Sequence, residues 1–131
     1  MLIETKGYEM KTLTLTALFF QAIAHVETGH LPEGERDIAI GDGGRSLGRY
    51  QISEAYWNDA LDYYGFEPDE LPYREYVIYA SVCREMIRGY MKRYKAKSLK
   101  QAAKMHNGGP RGHKKKATRI YWKKVKAYMD E

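Results

Sequence analysis

Apolar positions recur at steps of three and four over most of this chain, the spacing of helices that bury one face. Leu13, Ala17, Phe20 and Ala24 lead along one such face to Glu27, while Thr14, Gln21, His25 and Thr28 make a narrow polar strip. The pattern predicts a helix over 13–26 wrapped by protein on most sides, with Gly29 as its stop. Glu27 then closes an apolar face, an unusual place for a carboxylate.

The period changes in "RDIAIGDGGRSLGRYQI", residues 36–52, where Ile38 and Ile40 alternate with smaller neighbours and Asp42-Gly43 signals a tight turn. A β-hairpin is predicted there. Ser53 offers an N-cap for a helix with an apolar stripe of Tyr56, Trp57, Ala60 and Leu61, ended by Gly65. A long helix is predicted over 73–94, since Tyr76, Ala80, Cys83, Ile87, Tyr90 and Tyr94 keep a 4-3-4-3-4 rhythm. Ser98 opens a short helix through Met105, interrupted by the loop "HNGGP", residues 106–110. A basic amphipathic helix follows, with Ala117, Tyr121, Val125 and Tyr128 inward. The expected fold is α+β, mainly α-helical with a small β-hairpin. Without a repeat or a Pro/Ser-rich linker, residues 1–131 read as a single domain.

Charge divides this domain. Residues 1–83 carry 6 basic and 14 acidic side chains, whereas residues 84–131 carry 16 basic and 3 acidic ones. Such asymmetry suits an anionic partner, whether nucleic acid, a membrane surface or an acidic cell-wall polymer; a solvated basic face is the bland alternative. The single cysteine, Cys83, excludes an internal disulfide and reads as a small apolar core residue. No run reaches the roughly 18 apolar residues of a membrane span. Lys11, "TLTLTALFFQ" and "AIA" imitate a signal peptide, but ten residues that include the charged Glu4, Lys6 and Glu9 precede them, and cleavage after Ala24 would destroy the first helix. Synthesis in the cytoplasm without a signal peptide is therefore expected.

Chemistry concentrates near Glu27. Phe20, Thr16 and Ile23 flank it on the helical wheel, so partial desolvation disfavours its charged form. The C-terminal end of a helix dipole acts in the same direction. A carboxyl with a raised pKa holds its proton near neutrality, as a general acid must. The alternatives are a glutamate that reaches solvent, or one paired with an arginine such as Arg49. Glycosidic cleavage also needs a carboxylate to handle oxocarbenium charge. Asp42 on the hairpin turn is favoured for that part over Asp37, although Asp before Gly also suits a turn for its own sake. Tyr50 and Gln51 supply an aromatic face and an amide of the kind sugars bind, while Tyr56 and Trp57 read as core. In "HNGGP" the glycines allow close backbone approach, and His106 either bonds substrate or ties down the loop. No His or Cys spacing matches a metal site, and "GDGG" lacks the Lys-Ser/Thr of a phosphate loop, so no cofactor is expected.

Taken in order, "VETG", "GDGGRSLGRYQISEAYWNDA", "YMKRY" and "AAKMHNGGPRGHKKKATRIYWKKV" resemble the invertebrate-type lysozyme (destabilase) family over roughly residues 18–129. A glutamate followed by "GRYQI" also resembles the wider goose-type lysozyme and lytic transglycosylase superfamily. The resemblance implies a lysozyme-like fold and cleavage of the β-1,4 bond between N-acetylmuramic acid and N-acetylglucosamine in peptidoglycan. It implies Glu27 as general acid, Asp42 as second carboxylate, and Tyr50, Gln51, His106, Asn107 and Gly108 as substrate-binding residues. Animal members are rich in disulfides, so a chain with one cysteine looks more like a bacterial or bacteriophage version, acting on the wall as a monomer. Some members also split γ-glutamyl-lysine crosslinks, but nothing in the spacing of Ser46 or Ser53 argues for that here.

Other classes compete. A nucleic-acid-binding module would use the basic half and its tyrosines, but leaves Glu27 unexplained. A catalytically dead wall-binding protein would have no need of both acids. A lytic transglycosylase would need Glu27 but not Asp42.

Overall fold

The first apolar face folds as α1 (Ala17–Thr28), opened by Thr16, whose side chain accepts from the Phe19 N–H. The structure, a computed structural model, describes residues 13–131; the remainder of the expected 1–131 domain, with the Lys11 of the signal-like segment, lies outside the described residues. The helix starts later than the sequence pattern suggests because Thr16 caps better than it propagates, and it continues through Glu27 to Thr28. Phe19, Phe20, Ala22, Ile23 and Ala24 are buried, but Ala17 is exposed. Thr28, expected on the polar strip, is buried: its hydroxyl donates to Arg49 O at 2.9 Å and accepts from Arg36 Nε. That bond ties the acid-bearing end of α1 to the segment that leaves the hairpin.

A short helix α2 (Glu33–Arg36) leads to β1 (Ile40–Gly41) and β2 (Ser46–Leu47), antiparallel, with Ile40 opposite Leu47. The hairpin is shorter than expected. A 3-10 turn over Asp42–Gly44 takes its centre, and a bridge pairs Leu47 with Ile52. Ile38 and Ile40 are exposed, because the ribbon has no second layer to cover them.

Helix α3 (Glu54–Tyr64) starts at the Ser53 cap and ends at Gly65, which takes the left-handed conformation (φ 79°) that glycine adopts without a Cβ penalty. The predicted helix over 73–94 is two helices, α4 (Tyr73–Tyr76) and α5 (Ala80–Arg93). The break serves packing. The Val77 carbonyl accepts from Cys83 Sγ at 3.1 Å, and Gly48 lies so close to it that an added Cβ would sit 2.6 Å from that oxygen. Helix α6 (Leu99–Gly108) runs through His106 and Asn107, so the HNGGP segment is a helix end and not the loop expected; the chain turns at Gly109, φ 91°. Helix α7 (Thr118–Met129) buries Thr118, Tyr121 and Val125, with Ala117 exposed just before it.

Seven helices and two short strands are thus formed among the described residues. Helix α3 packs along α5, and α7 lies against both α1 and α6. Trp57 is wholly buried, its indole N–H donating to Leu71 O at 2.9 Å. Burying a large apolar side chain contributes about 1.5–3 kcal/mol. The core also takes in Phe19, Ile23, Ile52, Leu61, Ile87, Met105 and Val125, and no crosslink is needed to close it. No described helix is long and apolar enough to cross a membrane.

Candidate active site

A cleft of about 570 Å³ opens between the end of α1, the β-ribbon, α3 and the end of α6. Glu27, Asp42 and Gln51 line it with His106 and Asn107, and Gly109 and Pro110 complete that edge. Glu27 comes from the last turn of α1, where a helical step from Ile23 and Ala24 brings it out of the core with only 20% of its side chain exposed. Burial raises its pKa from the ordinary 4.5 to about 7, while the Tyr121 hydroxyl behind it pulls the other way. Loss of solvation thus holds a proton on this carboxyl close to neutrality. Arg49, the alternative partner considered for Glu27, is engaged elsewhere: its guanidinium binds Asp37 at 2.7 Å and also pairs with Glu33.

Asp42 enters from the hairpin turn with a side chain 63% exposed, and Arg45 three residues on binds it at 3.1 Å. Its backbone is left-handed at φ 52°, and Gln51 across the ribbon has the same φ. Non-glycine residues rarely adopt this region, and such strain collects where side chains must be aimed. Gln51 is fixed by Nε2 donating to Gly48 O at 2.9 Å, and Gly41 opposite has no room for a Cβ. Asp37, the rival aspartate, is absent from the cleft lining and is spent on Arg49.

His106 forms part of the wall. Its Nε2 lies 2.7 Å from Tyr50 O, a carbonyl, so that nitrogen carries the proton; Nδ1 then accepts from the Tyr56 hydroxyl at 2.9 Å. Burial lowers the pKa of His106 to about 4, so it is neutral at ordinary pH. The 3.8 Å approach of Nε2 to Glu27 Oε2 is therefore a contact between an uncharged ring and the acid, not an ion pair.

Other residues singled out in the sequence lie differently. Tyr50 is beneath the cleft, 3% exposed, its ring edge-on to Phe20 and its hydroxyl accepting from Arg84. Gly108 faces Thr118, and its carbonyl accepts from Lys115 Nζ. Sequence reasoning missed three groups. Tyr56, placed in the core, is buried there but also forms the cleft wall and stacks on Tyr90 at 3.7 Å. Asp59, one helical step further along α3, brings a third carboxylate to the cleft, oriented by the Tyr94 hydroxyl at 2.8 Å. Tyr121 stands behind Glu27 with its hydroxyl buried. The i, i+3 spacing of Tyr56 and Asp59 was the available signal for the first two. Among the described residues no group of three or more His, Cys, Asp or Glu could hold a metal.

A carboxyl kept protonated by burial, sharing a cleft with an exposed carboxylate on a mainly helical fold, is the arrangement that acid-assisted glycosidic cleavage in the lysozyme class requires. The chain belongs to the Destabilase family, whose model matches residues 35–128, a span that includes Asp42 and begins after Glu27. It is 34% identical to a lysozyme of Magallana gigas over 86% of this chain and 79% of that one. It is 33% identical to lysozyme 1 of Crassostrea virginica, covering 82% of this chain and 56% of the relative. The fold matches the inhibitor-bound lysozyme from Meretrix lusoria with a TM-score of 0.68 and 28% identity, over 86% of this chain and 88% of that one. The lysozyme-like fold expected from the sequence is thus the fold observed.

Proposed function

We propose that this chain is a muramidase, hydrolysing the β-1,4 bond between N-acetylmuramic acid and N-acetylglucosamine of peptidoglycan. The observation that carries the reading is Glu27, four-fifths covered and with a pKa of about 7, at the wall of a cleft that also holds Asp42. Glu27 donates its proton to the leaving glycosidic oxygen. Asp42 meets the positive charge that develops at the anomeric carbon and then serves the entry of water. Asn107 and Gln51 offer amide groups to sugar hydroxyls, and neutral His106 holds the wall. The 16 basic residues of 84–131 draw the protein onto anionic wall polymers, an attraction that salt screens.

Purified protein incubated with bacterial peptidoglycan, followed by turbidity and by product mass, tests this. Reducing-end muramic acid is expected from the wild type and none from Glu27→Gln. Anhydro-sugar products would reassign the chain to transglycosylation, and equal clearing by both proteins would remove Glu27 from catalysis.

A further inference from the structure

Hydrogen-bond accounting around Glu27 leaves one donor unspent. The groups facing its carboxyl are His106 from α6, Tyr56 from α3 and Tyr121 from α7, with Asp42 and Asp59 further along the same cleft. The His106 Nε2–H is committed to Tyr50 O, and the Tyr56 O–H is committed to His106 Nδ1. The Tyr121 hydroxyl is buried and closes no hydrogen bond in the resting geometry; the acceptor it bears on is the Glu27 carboxyl, whose charged form it favours. The Tyr121 ring lies 6.5 Å from that of His106, with the ring planes 27° apart. A buried hydroxyl left unpaired is costly, and native structures seldom retain one without a use.

We infer that Tyr121 is a positioning residue for the general acid, its hydroxyl donating to the Glu27 carboxylate that exists only once the proton has left. Below pH 7 the resting Glu27 is mostly a neutral acid, and a neutral carboxyl is a weak acceptor. When its proton passes to the glycosidic oxygen and the C–O bond breaks, the negative charge left on Glu27 needs a donor. His106 and Tyr56 have none to give. Tyr121 turns its O–H onto the carboxylate and keeps its own proton; the phenol, buried and beside Glu27, is held well above its ordinary pKa. A bond stronger in the transition state than in the ground state accelerates the step, which binding alone would not. Water can return the proton to Glu27 afterwards, and the tyrosine then loses its partner again.

The inference rests on Glu27 being the acid, so Tyr121→Phe is compared with Glu27→Gln in the full chain, on a soluble peptidoglycan oligosaccharide. Tyr121→Phe should lower kcat about tenfold with KM unchanged, the loss of one charge-assisted hydrogen bond. Its alkaline limb should move up by about one pH unit, because the ionised acid has lost its donor. A purely structural tyrosine would not move that limb. Placing 3-fluorotyrosine at 121 keeps the ring in its seat and sharpens the donor, so the limb should move down; this arm also decides the matter if the phenylalanine variant does not fold. A limb unmoved by the fluorinated residue overturns the inference. If Glu27→Gln is inactive while that limb stays fixed, only the part given to Tyr121 fails; if Glu27→Gln is fully active, the muramidase reading fails first.

Discussion

Replacing Glu27 by glutamine should strengthen the fold by an amount that depends on pH in a way fixed by the burial of that one group. In the unfolded chain its carboxyl titrates near 4.5, and in the folded chain near 7. Below 4.5 both states carry the proton, and the group imposes no penalty. Between 4.5 and 7 the folded state binds the proton more tightly, so stability falls as pH rises, and above 7 the folded protein must bury a charge. A difference of about 2.5 units corresponds to roughly 3 kcal/mol. His106 slopes the other way: its folded pKa of about 4 against an ordinary 6.5 means that stability is lost as pH falls from 6.5 towards 4. In the wild type the two slopes largely offset each other between 4.5 and 6.5. Glu27→Gln removes one of them, so the variant should gain stability steadily from pH 4 to 6.5 and then hold it. Urea unfolding at closely spaced pH values measures this. With a slope near 2 kcal/mol per molar, the midpoints of variant and wild type should separate by about 1.5 M more at pH 8 than at pH 4. A gap independent of pH would refute the claim that burial, and not some other neighbour, sets the protonation of Glu27.

Two further outcomes separate catalysis from architecture. Asp42→Asn should reduce kcat on peptidoglycan about a hundredfold with little change in unfolding midpoint, whereas Asp37→Asn, which loosens a half-exposed pair with Arg49, should retain activity and cost about 1 kcal/mol or less; activity lost in Asp37→Asn alone would exchange the two assignments. Gly48→Ala should destabilise the fold by about 2 kcal/mol or more, measured by chemical unfolding, since it combines φ 82° with a Cβ driven to 2.6 Å from Val77 O.

The burial of Glu27 and the local ends of the helices were readable in the sequence, where local chemistry is enough to specify them. Glu27 stood out because a carboxylate on an apolar helical face is an anomaly, and its burial follows from Phe20 and Ile23 one turn before. Ser53 and Gly65 marked the ends of α3 because capping and left-handed termination are local demands. What escaped notice depended on partners far away along the chain. The break at residues 77–79 exists because Gly48 and Cys83 converge on Val77, a contact that heptad-like spacing in the helices around it conceals. His106 was placed in a loop by the glycines that follow it, yet a bond to Tyr50, 56 residues earlier, draws it into the helix wall. Tyr50 read as a sugar platform because aromatic residues beside an acid often are one; Phe20 and Arg84 instead claim both of its ends. Tyr121 belonged to a buried stripe like any other, and nothing in its spacing tells that its hydroxyl is short of an acceptor.

The double grip of His106, one ring nitrogen on the Tyr50 backbone and the other on Tyr56, has a mechanical consequence. It acts as a rivet through three segments of the chain, set 3.8 Å from the Glu27 carboxyl. Heat cannot spread the jaws of the groove gradually: pulling that rivet strands several polar atoms away from water at one stroke. Loss of catalytic competence and collapse of the whole fold should therefore arrive together, with no limp intermediate in which the frame survives and the bite is gone.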